Sequence, residues 1–308
     1  MERISFFVFV LILATACSSG TEQRKEEKPK NFEMPQIPAE LTNPADRAVF
    51  LADHYWDKFD FSDTTYCSVP EITEQAFVNF IDLLDHIPAK NVDCSIKSML
   101  KKAESDSIMY AYFVKLYGEY LYNTDSPMRN EEYYIPVLES LLTSDKVSDV
   151  MKIKSAKQLN WVKKNRIDSV ASDFVYTDKK GRINRMSSIK APRTLLFFYN
   201  PGCEMCSEAL SFLKNSARMK ALVRDKQLVV LAIYPDGDID AWREHAADFP
   251  KEWLNGYDKD RVIDKGELYD LKTFPAIYLL DEDKRVILKN TSAEQIETYY
   301  DNLIVECH

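Results

Sequence analysis

Apolar residues recur at helical spacing from Asn43 onward. Val49, Ala52, Trp56 and Phe59 form one stripe, Phe77, Phe80, Ile81 and Leu84 a second, and Val92, Ile96, Met99, Leu100 and Ala103 a third. The strongest runs through Ile108, Tyr112, Phe113, Leu116, Tyr117, Tyr120 and Leu121. Tyr133, Val137, Leu138 and Leu141 follow, then a segment from Val150 to Lys164 that carries Trp161. Residues three and four apart share a helix face, so each stripe predicts an amphipathic helix. Asn43-Pro44 offers a cap and a first-turn proline. Gly118 is the only glycine between Thr21 and Lys180, whereas sheet-rich domains need several for turns with positive φ. Residues 42–166 therefore read as an all-helical domain of about six helices.

Near Asp168 the pattern changes. Ser172–Thr177 followed by Asp178-Lys179-Lys180-Gly181-Arg182 predicts strand, turn and strand. Thr194–Tyr199 and Leu228–Tyr234 are continuous apolar runs, the pattern of strands covered on both faces. Leu210, Leu213, Ala217 and Ala221 fall on one helical stripe between them, and Pro235–Asp238 stops the second run and opens a helix with Trp242. Phe249 to Ile263 is aromatic and irregular, and predicts a loop beside the functional site. Ala276–Leu280 and Val286–Leu288 flank the turn Asp281-Glu282-Asp283-Lys284, and a last helix runs from Ser292 to Val305. The alternation of strands and helices over residues 167–308 makes this second domain α/β.

The chemistry sits where the first apolar strand ends. Leu195-Leu196-Phe197-Phe198-Tyr199 is followed by Asn200-Pro201-Gly202 and then Cys203-Glu204-Met205-Cys206. A strand, a tight turn and two cysteines at a helix start suit dithiol chemistry. Unpaired N–H groups and the positive end of the helix dipole favour a thiolate on Cys203. Cys206, one turn on, can attack the mixed disulfide and release the product. Glu204 is a negative neighbour that tunes the pKa of Cys203 against the thiolate and favours a more reducing couple.

From these residues, Ala171 to His308 resembles a thioredoxin fold, and is most similar to the TlpA-like branch of extracytoplasmic thiol-disulfide oxidoreductases. Tyr269-Asp270-Leu271-Lys272-Thr273-Phe274-Pro275-Ala276-Ile277 resembles that family's second landmark, a cis-proline before a central strand. The resemblance implies that Pro275 faces the dithiol and shapes the docking groove, and that the backbone of Phe274 pairs with a bound substrate strand. It also implies protein thiols and disulfides as clients, an upstream membrane electron donor, and no cofactor. Departures from the family pattern are Tyr199-Asn200-Pro201-Gly202 in place of a tryptophan before the dithiol and Phe197 where thioredoxin has a buried acid. Met205 replaces the usual proline, and Ala209 stands where TlpA-like relatives often carry glutamate, with Glu208 one earlier. The hairpin at residues 172–182 resembles the N-terminal addition of TlpA-like proteins. His54-Tyr55-Trp56-Asp57-Lys58-Phe59-Asp60 and Pro127–Tyr134 resemble an uncharacterised helical domain that precedes thioredoxin modules in lipoproteins of the Bacteroidota.

The chain start changes the compartment. Arg3 precedes an apolar run, Ile4 to Ala16, too short to span a bilayer, and Leu13-Ala14-Thr15-Ala16-Cys17 resembles a bacterial lipobox. Residues 1–16 are thus expected to be a lipoprotein signal peptide and Cys17 the lipidation site. Residues 17–41, charged and proline-bearing, are an expected flexible tether. The expected location is the cell envelope of a Gram-negative bacterium, anchored at the periplasmic face or outer membrane, where disulfide chemistry is permitted. The net charge of −9 argues against a nucleic-acid partner. His54 and His86 lack ligand neighbours at metal-binding spacing, so no metal site is expected. Copper binding by the dithiol is disfavoured because His245 is the only histidine between it and Pro275. A peroxidase fits a paired cysteine less well than exchange does. The remaining rival is a binding or scaffold lipoprotein in which Cys203 and Cys206 form a structural disulfide. A bridge between Cys67 and Cys94 is expected, with free thiols or a partner in Cys307 left open.

Overall fold

The structure, a computed structural model, describes residues 31–305. The expected signal peptide, the Cys17 lipidation site, residues 17–30 of the tether, and Cys307 lie outside the described residues. Six α-helices build the first half: α1 (Pro44–His54), α2 (Pro70–Leu84), α3 (Ala89–Ala103), α4 (Ser107–Leu121), α5 (Glu131–Thr143) and α6 (Asp149–Val162). Their starts are chemical. The side chains of Asn43, Asp106, Asn130 and Ser148 each accept backbone N–H groups of the first turn, satisfying donors that have no helical partner. The core between these helices is aromatic: Trp56 lies 5.3 Å from Phe113, and Phe77 lies 4.8 Å from Tyr117, edge to face.

Two expectations change here. The tether is shorter at its C-terminal side than expected, because Phe32 packs 4.9 Å from Tyr55 and 5.3 Å from Trp56. A single large apolar side chain in a polar stretch suffices to dock it. Cys67 and Cys94 are both free thiols, not a bridge. Cys94 is exposed, off the apolar stripe of α3, while Cys67 turns inward with its sulfur 3.9 Å from that of Met109.

The second half is a seven-stranded mixed sheet. In chain order it comprises β1 (Val175–Asp178), β2 (Ile183–Arg185), β3 (Arg193–Phe198), α7 (Glu204–Asn215), α8 (Ala217–Arg224), β4 (Leu228–Tyr234), α9 (Ile239–His245), β5 (Leu254–Tyr257), α10 (Val262–Lys265), β6 (Ala276–Leu280), β7 (Val286–Lys289) and α11 (Ala293–Val305). The strands lie in the order β2-β1-β5-β4-β3-β6-β7. β3, β4 and β5 are parallel to one another, and β6 runs antiparallel beside β3. Alternate residues of β3 serve two cores. Leu195 and Phe197 pack with α7, Trp242 and α11, whereas Leu196 and Phe198 pack with Phe174, Met186, Tyr269 and Tyr278.

Residues 249–263, expected as a loop, contain β5. Leu254-Asn255-Gly256-Tyr257 lacks an apolar run, and its strand state comes from pairing with β4 on one side and β1 on the other. Gly256 is required there, since a Cβ would meet Tyr176 at 2.5 Å. The stripe from Leu210 to Ala221 spans two helices instead of one. Ser216 breaks it with an extended backbone (ψ 126°) and caps α8 by accepting the Met219 N–H.

The halves meet at the β7 edge. Residues 167–171 run along it: Ala171 N–H donates to Lys284 O, and Val286 N–H to Ser169 O. An otherwise open strand edge is thereby covered. At the end of β7, Lys289 Nζ sits 2.8 Å from the Glu131 carboxylate and donates to the Val162 and Lys164 carbonyls. Both side chains are nearly buried, at 5% and 9% exposure, so the charges are paired instead of hydrated. Burial pushes the Glu131 carboxyl up, but Lys289 and Arg129 outweigh it and hold the group below its ordinary range. Such a lowered carboxyl stabilises the fold above the unfolded value of about 4.3 and loses that contribution as pH falls through its folded value. Lys289→Met, which strands the carboxylate, is expected to cost about 3 kcal/mol at pH 7 in urea unfolding, with the gap narrowing at acid pH. Equal stability of variant and parent at pH 7 would show that the pair contributes nothing.

Candidate active site

The site begins with a turn. Asn200 O accepts the Cys203 N–H at 3.2 Å, with Pro201 and Gly202 between them and Gly202 at φ +77°. Proline second and a positive-φ glycine third are the residues a type II turn requires. The turn ends at Cys203, which is the N-cap of α7 with an extended backbone (φ −79°, ψ 117°). Its Sγ accepts the Cys206 N–H at 3.2 Å, taking the place of a capping oxygen.

The two sulfurs occupy different surroundings. Cys203 is half-buried, whereas Cys206 is 5% exposed and packs into the core beneath α7. Burial, with the neighbouring Cys203 sulfur adding to it, pushes the Cys206 thiol up to about 12. Cys206 thus stays protonated at neutral pH.

The second landmark stands opposite. The Phe274–Pro275 peptide bond is cis, and the Cys203 thiol lies 3.7 Å from the Phe274 carbonyl oxygen. Phe274 and Pro275 are both half-buried, and the Phe274 ring touches the cores on both faces of the sheet. The reason these segments meet is register: Phe198, at the end of β3, pairs with Ala276, at the start of β6. Glu204 occupies the first position of α7 and is exposed, and among the described residues its side chain has no hydrogen bond or ion pair. Its field at Cys203 is therefore screened by water. Met205, between the cysteines, is 61% exposed, an apolar side chain presented at the mouth of the site.

Phe197 is fully buried, so no acid lies at that strand position. In the same core, Trp242 Nε1 donates to Asn255 Oδ1 at 2.6 Å, near the buried Tyr199 side chain. Asn255 was not expected from the sequence, because β5 carries no apolar signal. No group of three or more histidine, cysteine or acidic side chains suited to a metal stands together among the described residues. His54 pairs with Asp57 at 2.7 Å and His245 with Asp248 at 3.3 Å. Within the described residues no helix is long and apolar enough to cross a membrane.

Similarity to known proteins now decides the family. A crystal structure of a thioredoxin-like protein from Bacteroides caccae is 43% identical, with a TM-score of 0.81 over 88% of this chain and 98% of that one. This chain belongs to the thioredoxin-like proteins. The match takes in both halves, helical and α/β. A family described as "Domain of unknown function (DUF5106)" matches residues 15–165, which include the six helices. The C-terminal domain of an uncharacterized protein from Bacteroides fragilis also matches, at 44% identity over 44% of this chain and 96% of that one (TM-score 0.43). The thioredoxin domain of a thiol-disulfide oxidoreductase from Bacteroides vulgatus matches at 22% identity over 44% and 97% (TM-score 0.38). No curated protein matches the chain.

The difference between the sulfurs is measurable. At pH 8, Cys206 of the folded, reduced protein is expected to alkylate at least about a hundredfold more slowly than in the urea-unfolded chain, with a rate still climbing at pH 10. Peptide mapping of iodoacetamide adducts separates it from the other thiols. Comparable labelling of Cys206 in the folded and unfolded states would contradict its burial.

Proposed function

We propose that this protein is an extracytoplasmic, lipid-anchored thiol-disulfide oxidoreductase that reduces disulfides of client proteins through Cys203 and Cys206. One observation carries the reading: a half-exposed sulfur caps a helix, accepts a backbone N–H, and lies 3.7 Å from the carbonyl that precedes Pro275. The Cys203 thiolate attacks one sulfur of the client disulfide. The client S–S bond breaks, a mixed disulfide forms, and one client thiolate departs. Cys206 then attacks the Cys203 sulfur. A Cys203–Cys206 disulfide forms, the second client sulfur leaves, and the proton lost by Cys206 ends on it. The client gains two electrons and this protein loses two, so an upstream membrane dithiol donor must restore it. Phe274 offers its backbone to an extended client strand, Pro275 shapes the groove, and Met205 adds apolar contact. The lipobox-like run ending at Cys17 supports the anchor, and the charge of −9 makes a nucleic-acid partner unsuitable.

Cys203→Ser is expected to abolish disulfide exchange, lowering the rate at least about a thousandfold because an alcohol replaces the thiolate nucleophile. Cys206→Ser should instead accumulate mixed disulfides with clients, visible as reductant-sensitive adducts on gels. Exchange that persists in Cys203→Ser would end the proposal, and a parent protein without exchange activity would leave the scaffold reading in its place. Cys17→Ala should move the protein from the membrane fraction to the soluble fraction, and unchanged sedimentation would remove the anchor.

A further inference from the structure

The segment that leads into Phe274 is held from outside its own domain. Asn165, just past the end of α6, has a left-handed backbone (φ 48°) and is 6% exposed. Its Nδ2 donates to Leu268 O at 2.8 Å, while its Oδ1 accepts the Ser172 N–H at 2.7 Å. Lys164 Nζ donates to Glu267 O. The Trp161 ring carries two ammonium groups, Lys164 at 4.5 Å and Lys272 at 4.6 Å, a pair of cation–π contacts. Tyr269 is tied in turn by its hydroxyl to Ser172 O at 2.6 Å. Residues 267, 268 and 272 are thus fixed to the helical half, Tyr269 is joined to it only through Ser172, and Lys272 is two residues from Phe274.

We propose that the helical half is a brace for the client-docking groove. Through the positioning residues Trp161, Lys164 and Asn165 it sets where the Phe274 backbone stands, and so governs affinity for extended polypeptide disulfides. The inference rests on the exchange reading above and gives the helical half its role in it. A disulfide on a stretch of polypeptide must pair with the Phe274 backbone and react with Cys203. A small disulfide needs only the sulfur, which the turn and α7 position without help from α6. The two substrate classes should therefore respond differently when the brace is loosened.

Asn165→Asp suits the test, because it keeps the left-handed preference and the bond from Ser172 N–H while losing the donor to Leu268 O. Trp161→Ala, at a half-exposed site, is the second variant and guards against misfolding of the first. Parent and variants are the full chain with Cys94, the exposed free thiol, replaced by serine, so that the small disulfide does not react there. The reduced protein is mixed with 5,5′-dithiobis(2-nitrobenzoate) or with a ten-residue peptide containing one disulfide, and the concentration dependence separates KM from the maximal rate. Hydrogen exchange reports separately on residues 268–274. The peptide KM is expected to rise about fivefold to tenfold, the size of one lost hydrogen bond, with the maximal rate and the small-disulfide rate within about twofold. Exchange of amides 268–274 should quicken by about tenfold while β3 and β4 stay protected. Unchanged loop exchange, an unchanged peptide KM, or an equal loss on both disulfides would each overturn the brace. A parent protein inert towards both disulfides would be a separate result, rejecting the exchange reading and with it the role given to the helices.

Discussion

The pairing of β3 with β6 is the constraint on which the site depends. Their antiparallel register sets Phe198 against Ala276, so the dithiol turn and the prolyl segment leave the sheet at the same end. That register is locked by side-chain alternation. Ile277 and Leu279 pack on the α7 face, whereas Ala276, Tyr278 and Leu280 pack on the other. A slip of one residue would exchange these two sets between cores of different shape. It would also carry Pro275 away from Cys203. The packing of two cores thus fixes a distance between sulfur and carbonyl that no local interaction of either loop could fix alone.

Given that frame, the difference between the two cysteines is one of depth. The capping position leaves Cys203 at the surface with a backbone donor aimed at it, while one helical turn carries Cys206 inward. Burial holds Cys206 in its neutral form. In the proposed exchange, the absence of an acid at Phe197 leaves the departing client sulfur to take the resolving proton.

The helical half contributes more than a neighbouring fold. Linker residues 167–171 close the β7 edge, and a buried Lys289–Glu131 pair joins β7 to the start of α5. Buried ion pairs of this kind add specificity of arrangement more readily than net stability. Here the arrangement places the end of α6 against residues 267–272. The match to the Bacteroides caccae protein extends over both halves together, in keeping with one continuous structure.

Much of this was legible in the sequence. Helical stripes announced α1 to α6, apolar runs announced β3, β4 and β6, and Cys203–Cys206 after a strand marked the chemistry, because each is a local pattern with a local cause. Even the turn could be read, since Pro201 and Gly202 constrain φ by themselves. Leu254–Tyr257 could not, because its strand state is imposed by β4 and β1. Ser216 hid a break inside a continuous stripe, and Phe32 looked like part of a tether. Asn165 carried a weak signal, an asparagine past a helix end, but not the identity of its partner 103 residues away. The sequence by itself determined most of the segments that become helix and strand, and the placing of two cysteines at a helix head. Only the tertiary structure decided what stands opposite that sulfur and what holds it there, because those contacts join residues that share no sequence neighbourhood and meet only through packing.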